Sequence, residues 1–192
     1  MEDVFDVLAA DHEEIRQVLD ELDKGPTAAT GATEDQLMLR KIMTEELILE
    51  ASKHEEIELT CLWTAVRGHV PGGGVLADRG ICAELEIVAL LAELDKLDAS
   101  QPEFEDLLGR FSQAAREHFG FEEGQVWPRL RAALASGALS RQAAAAMSRK
   151  ILLARQSGPA LAVPRPGSPS HWPRSPRCSQ GPGESAHHGS FG

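Results

Sequence analysis

Nothing in this chain supplies the positive charge that attracts nucleic acid: nineteen Lys and Arg stand against thirty Asp and Glu, a net charge of −11. Phosphate binding depends on neutralisation by basic residues, so nucleic acid is excluded as a partner. An acidic surface also disfavours anionic membranes. Long apolar runs are missing too, and no stretch approaches the ~20 residues needed to span a bilayer. The N-terminal text MEDVFDVLAADHEE has neither the basic start nor the apolar run of a secretion signal. These absences predict a cytoplasmic protein. Cysteine is scarce: Cys61, Cys82 and Cys178 are odd in number and form no CxxC pair, which argues against a disulfide framework or a thiolate zinc site. Cys61 and Cys82, set among apolar residues, are expected to pack as small hydrophobes.

Several chemistries lack their residues. There is no strand signal, no P-loop and no glycine fingerprint opening a helix after a strand; glycines 72 to 74 fall between two helical patterns. His54-Glu55-Glu56-Ile57-Glu58 begins like HExxH, but Glu58 stands where the second histidine is required. No serine or cysteine nucleophile sits beside a base.

What is present is helical periodicity. The 42% hydrophobic content suffices for a sizeable core. Phe5, Leu8, His12, Ile15, Leu19 and Leu22 alternate by three and four and define a helix over residues 3–23. After the loop KGPTAATGA, Thr33-Glu34-Asp35-Gln36 has the form of a capping box and opens a second helix running to about Val66. Arg67-Gly68 should stop it, leaving 69–75 as a loop with His69 solvated. A third helix is expected over about 78–97. Ser100-Gln101-Pro102-Glu103 reads as the capped start of a fourth, which reaches about Ala135 and bends at Pro128. Ser140 caps a shorter fifth helix to about Arg155.

The fold class expected is therefore all-α: an up-down-up-down four-helix bundle, with the short fifth helix packed outside or across one end. Residues 1–155 form the domain. Residues 156–192, rich in Pro, Ser and Gly, read as a disordered C-terminal tail whose His171, His187 and His188 are solvated.

Polar residues interrupt the apolar stripes at equivalent places. The second helix carries Leu47, Ala51, His54, Glu58, Cys61 and Ala65 on its inward face; the fourth carries Phe104, Leu108, Phe111, Ala115, His118 and Glu122. His54-x3-Glu58-x3-Leu62-Trp63 aligns with His118-x3-Glu122-x3-Val126-Trp127, an internal repeat. Helices one and three repeat as well, with Glu84 standing where His12 stands in the first. In an up-down bundle all six groups, His12, His54, Glu58, Glu84, His118 and Glu122, should gather towards one end. Unpaired charges in a dry interior cost several kcal/mol each, so these must be paired, protonated or bound to cations. A pair of metal ions resolves this best. Imidazole and carboxylate donors together suit iron or manganese better than tetrahedral structural zinc. Glu55 is a weaker candidate donor, since neighbouring helical side chains diverge by ~100°. Glu123 is expected to be solvated or to support a ligand from behind.

At these residues the chain resembles the hemerythrin-like, or HHE cation-binding, family. Asp11-His12-x2-Ile15, His54-x3-Glu58 and His118-x3-Glu122-Glu123-x3-Trp127-Pro128 are similar to its first-, second- and fourth-helix signatures, over about residues 5–155. The resemblance implies two iron ions, ferrous or ferric and joined by an oxo or hydroxo bridge, in a four-helix bundle. It implies His12, His54 and His118 as nitrogen ligands and Glu58 and Glu122 as bridges. Two departures stand out: Glu84 replaces the usual histidine, and Thr64 replaces a proline common after the aromatic residue. Either Glu84 is a ligand, giving three histidines and three carboxylates and a lower reduction potential, or it turns away and the site holds one metal or none. The function implied is binding of dioxygen, peroxide or nitric oxide, with peroxide breakdown as a possible activity in an oxidative-stress response. The alternative is an iron- or oxygen-sensing interaction module without turnover.

Overall fold

The computed structural model describes residues 4–156; the tail expected to be disordered lies outside them. Among the described residues every regular element is helical. In chain order these are α1 (Val4–Lys24), a 3₁₀ turn (Ala28–Thr30), α2 (Glu34–Ile57), a π-helical turn (Glu58–Leu62), α3 (Trp63–His69), α4 (Gly73–Leu94), α5 (Pro102–Phe121), a second π-helical turn (Glu122–Val126), α6 (Trp127–Ser136) and α7 (Arg141–Gln156). No helix among them is long and apolar enough to cross a membrane.

Two of the three expected caps form. Thr33 Oγ1 accepts from the Gln36 N–H at 3.3 Å while Gln36 Oε1 accepts from the Thr33 N–H at 2.8 Å, and Ser140 Oγ accepts from the Ala143 N–H at 3.1 Å. Ser100 does not cap α5. Its N–H and hydroxyl both donate to Asp98 Oδ1, and α5 opens instead on Pro102, whose missing N–H costs nothing in a first turn.

The segment read as a seven-residue glycine loop is mostly helix. α3 extends through His69, which is half-buried rather than solvated and donates from Nδ1 to the Ala138 carbonyl at 3.0 Å. α4 begins at Gly73 rather than near Asp78. Gly72 takes φ 70°, a left-handed entry into the helix, and a Cβ on Gly73 would stand 2.0 Å from the Val66 carbonyl oxygen. The glycines thus serve a tight reversal and a close helix approach.

The π-turns were not anticipated. The Trp63 N–H bonds to the Glu58 carbonyl and the Trp127 N–H to the Glu122 carbonyl, five residues back in each case. One extra residue in a turn rotates the downstream helix face by about 100°. Leu62, Trp63 and Val66 therefore point inward, while Cys61 and Ala65, expected there, are half-buried. On the other long helix the irregularity likewise starts at Glu122, ahead of Pro128, which occupies the first turn of α6 where proline is tolerated. Cys61 is a free thiol packed against the core, as a small hydrophobe would be.

α1 packs on α2, α4 on α5 and α2 on α4, while α3 lies against α4 and α6, and α7 covers α1, α2 and the first π-turn. The bundle has two apolar clusters. One contains Val4, Leu8, Leu62, Trp63, Ala77, Val126 and Trp127, with Ile151 of α7; the other contains Ile15, Ala51, Ile87, Phe111, Ala115 and Phe119. On each long helix the polar interruption falls between the two: His12 between Leu8 and Ile15, His54 and Glu58 between Ala51 and Leu62, Glu84 between Ala77 and Ile87, His118 and Glu122 between Ala115 and Val126. The polar layer is thus capped by apolar residues on both sides, where the sequence had suggested a position towards one end. The sixteen residues of α7 and the α6 helix beneath it add the outer cap. Such burial is worth ~1.5–3 kcal/mol per large side chain, and it removes water from the layer in between.

Candidate metal centre

His12, His54, Glu58, Glu84, His118 and Glu122 are all buried, none more than 2% exposed. All six come together. Their donor atoms fall into two overlapping groups, each with one atom per residue and all atoms within 4.8 Å of one another: His12, His54, Glu58 and Glu122, and Glu58, Glu84, His118 and Glu122. Glu58 and Glu122 belong to both. Each is the first residue of a π-turn, so the same local widening that rephases the helix begins at each shared carboxylate.

Within the first group the His12 and His54 Nε2 atoms face each other at 3.1 Å, and His12 Nε2 lies 3.2 Å from Glu122 Oε2. Within the second, His118 Nε2 is 3.6 Å from Glu84 Oε1, 3.5 Å from Glu122 Oε1 and 3.7 Å from Glu58 Oε2. The separations in the second group are longer than ordinary hydrogen bonds and suit donors arranged around a common centre. Both oxygens of Glu58 and of Glu122, one of Glu84, and both ring nitrogens of His118 are buried without a hydrogen-bond partner. Orphaned groups in such number are costly unless something else engages them. The donor set therefore fits cations: oxygen and imidazole nitrogen, convergent, and shielded from water.

The electrostatics describe what occupies the donors when protons compensate them. Burial, then the neighbouring His54, pulls His12 down to about 2, so it is neutral. For His54 burial acts downward, but Glu58, Asp11 and Glu55 outweigh it and raise the ring to about 9. Burial likewise opposes the charge on His118, yet Glu58 and Glu55 hold it above its ordinary value. Glu58 is pushed up by burial but brought down to about 2 by His54 and His118. Burial and the adjacent charge of Glu58 hold Glu84 and Glu122 well above the usual carboxylate range.

Residues behind the donors orient them. His12 Nδ1 donates to Glu123 Oε1 at 2.7 Å, and Arg16 donates to the same oxygen at 2.7 Å. This places the ring hydrogen outside and leaves Nε2 as the inward donor, the arrangement typical of metal-bound histidine. The ring plane is held by near-parallel contacts with Phe119, at 3.9 Å, and Trp127, at 5.0 Å. On His54 the outer nitrogen faces Asp11 Oδ2 at 3.6 Å, and Asp11 is in turn paired with Arg155 of α7 at 2.5 Å. Glu84 receives a hydrogen bond from the Trp63 indole N–H. Of the two expectations for Glu123, solvated or supporting a ligand from behind, its contacts with His12 and Arg16 match the second, while the roles of Asp11, Arg155 and Trp63 were not anticipated. Asp11 precedes His12 and was visible only as part of a signature; nothing local in sequence ties it to His54. Glu55, judged to diverge from the site, is buried with one oxygen unpartnered, and burial raises it to about 8, but it belongs to neither donor group.

Neither the comparison with curated proteins nor that with solved structures finds a match. The description "Hemerythrin HHE cation binding domain" belongs to a family profile that matches residues 3–130, a stretch containing all six donors and both π-turns. With most of its length matched and a buried histidine and carboxylate cluster at the expected places, this chain belongs to the hemerythrin HHE cation-binding family.

Proposed function

We propose that the chain is a cytoplasmic non-haem di-iron protein that binds dioxygen, peroxide or nitric oxide, with peroxide breakdown as its candidate activity. Residues 1–155 form the domain, an up-down-up-down four-helix bundle with α7 packed against it. The observation that carries the reading is the pair of donor groups sharing Glu58 and Glu122. Two centres with two carboxylates in common are what bridging requires, since a carboxylate can serve two cations and offset their repulsion. His12 and His54 would complete one centre; Glu84 and His118 would complete the other.

Bound iron supplies open coordination positions and a reversible change of oxidation state to a small ligand. The chain's own contribution is to position and to exclude. Glu123 fixes the tautomer of His12, Asp11 faces the outer nitrogen of His54, and the Trp63 indole orients Glu84. The two apolar clusters keep bulk water from the polar layer. A cleft of about 400 Å³ between α4 and α5, lined by Arg79, Glu86, Arg110, Glu117 and His118 among others, reaches the His118 side and suits the approach of a small polar ligand.

The test is metal analysis and an absorption spectrum of full-length protein from iron-replete cells, followed by peroxide. Two irons per chain and a spectrum that changes with peroxide are expected. Iron below one per chain, or a spectrum indifferent to peroxide and oxygen, overturns the reading.

A second reading, an iron- or oxygen-sensing module without turnover, draws on one contact: Arg155 of α7 pairs with Asp11, which faces His54. Metal at His54 would be felt by α7 through two ion pairs. Under this reading amide exchange in α7 slows on iron loading and Arg155→Ala abolishes the difference; equal exchange with and without iron refutes it.

A further inference from the structure

The two donor groups are unlike, and the difference is built into the packing. The group around His12 and His54 offers two imidazoles and two carboxylates; the group around His118 offers one imidazole and three carboxylates. The whole difference is Glu84, which takes the place His12 has in the repeat.

Glu84 is held, not merely tolerated. The Trp63 indole N–H donates to its Oε1, leaving Oε2 buried and without a hydrogen-bond partner. Trp63 reaches it because α4 carries glycine one turn earlier: a Cβ at Gly80 would lie 2.1 Å from Trp63 Cη2. The equivalent tryptophan of the repeat behaves differently. Trp127 stacks on His12, and its Nε1 has no hydrogen-bond partner. So one tryptophan donates a hydrogen bond to a carboxylate ligand position and the other lies flat on an imidazole, and the two halves are specialised in concert.

Resting on the two-cation reading above, we propose that the two positions sort metals when one Fe(II) and one Mn(II) are shared between them: iron beside His12 and His54, and manganese beside Glu84 and His118. Nitrogen donors favour iron over manganese, whereas carboxylate oxygens suit manganese and erode that advantage. Each replacement of an imidazole by a carboxylate shifts the balance towards manganese. Here it happens at one position and not at the other.

The test loads metal-free full-length protein, without oxygen, with one equivalent each of Fe(II) and Mn(II) per chain, and reads total metal content together with anomalous diffraction at the iron and manganese edges. Wild type is expected to hold iron at His12 and His54 and manganese at Glu84 and His118. Glu84→His, which makes the groups alike, abolishes the sorting and spreads both metals evenly over the two positions. Glu84→Gln keeps the size but not the charge, and loses manganese without gaining iron. Iron at both positions in wild type, or the two metals scattered equally over both, overturns the selectivity while leaving the two-cation site standing, and needs no variant to fold. Absence of either metal from all six residues overturns the site itself, and the selectivity with it.

Discussion

Replacing Gly80 with alanine sets two physical effects against each other. Gly80 lies inside α4 with an ordinary helical backbone, so helix propensity alone predicts that Gly80→Ala stabilises the protein by ~1 kcal/mol. The new methyl, however, would stand 2.1, 2.2 and 2.6 Å from Cη2, Cζ2 and Cζ3 of Trp63. Trp63 is 1% exposed, and a rigid ring packed on all sides has nowhere to swing. Overpacking of this kind costs ~1–3 kcal/mol. Moving the indole also breaks its bond to Glu84, and a hydrogen bond contributes ~0.5–1.5 kcal/mol between neutral groups and ~1.5–3 kcal/mol to a charged one. The sum is a net loss of roughly 0.5–5 kcal/mol. At ~2–4 °C per kcal/mol for a domain of this size, the melting temperature should fall by roughly 1–20 °C. Urea and thermal unfolding of the metal-free protein measure it. A Trp63→Phe background, which removes the far edge of the indole, should absorb most of the Gly80→Ala penalty in a double-mutant cycle. If Gly80→Ala proves neutral or stabilising, the claim that this glycine exists to admit Trp63 to Glu84 is wrong.

Metal itself should stabilise the fold, because cations engage donors that are otherwise orphaned: at a thousandfold excess over Kd one site adds ~4 kcal/mol, on the order of 10 °C in melting temperature, and a chelator should reverse it. An unchanged melting curve would contradict this. Binding should also expel protons. His54 sits at about 9, so at pH 7 it carries a proton that a cation must displace, and Glu84 and Glu122, held above the carboxylate range, keep theirs to higher pH than ordinary carboxylates; apparent affinity should therefore rise from pH 6 to 8. Titration calorimetry in buffers of different ionisation enthalpy reports the protons released; a pH-independent affinity is the refuting result. Glu123→Gln weakens the acceptor behind His12 and should reduce metal affinity ~10–100-fold with little change in fold, seen by competition against a chromophoric chelator. Glu13→Gln, on the exposed side of α1, should leave affinity unchanged; equal losses in both variants would remove Glu123 from the account.

Much of this protein is decided by its sequence. The three-and-four spacing of apolar residues determines which segments are helices and which face each buries, and the caps at Thr33 and Ser140 mark where two of them begin. His54-x3-Glu58 and its copy His118-x3-Glu122 place paired donors one turn apart on inward stripes, which local geometry alone ensures. The π-turns escape that reading, because an i→i+5 bond is chosen by what the widened turn packs against rather than by local preference, and so the inward set after Glu58 became Leu62, Trp63 and Val66. Tertiary structure likewise decides the central position of the polar layer between two apolar clusters, and the pairings His12 with Glu123, Asp11 with Arg155, and Trp63 with Glu84. Those partners lie on different helices. Periodicity along one helix determines which way a side chain points, but only the docking of helices determines what it meets.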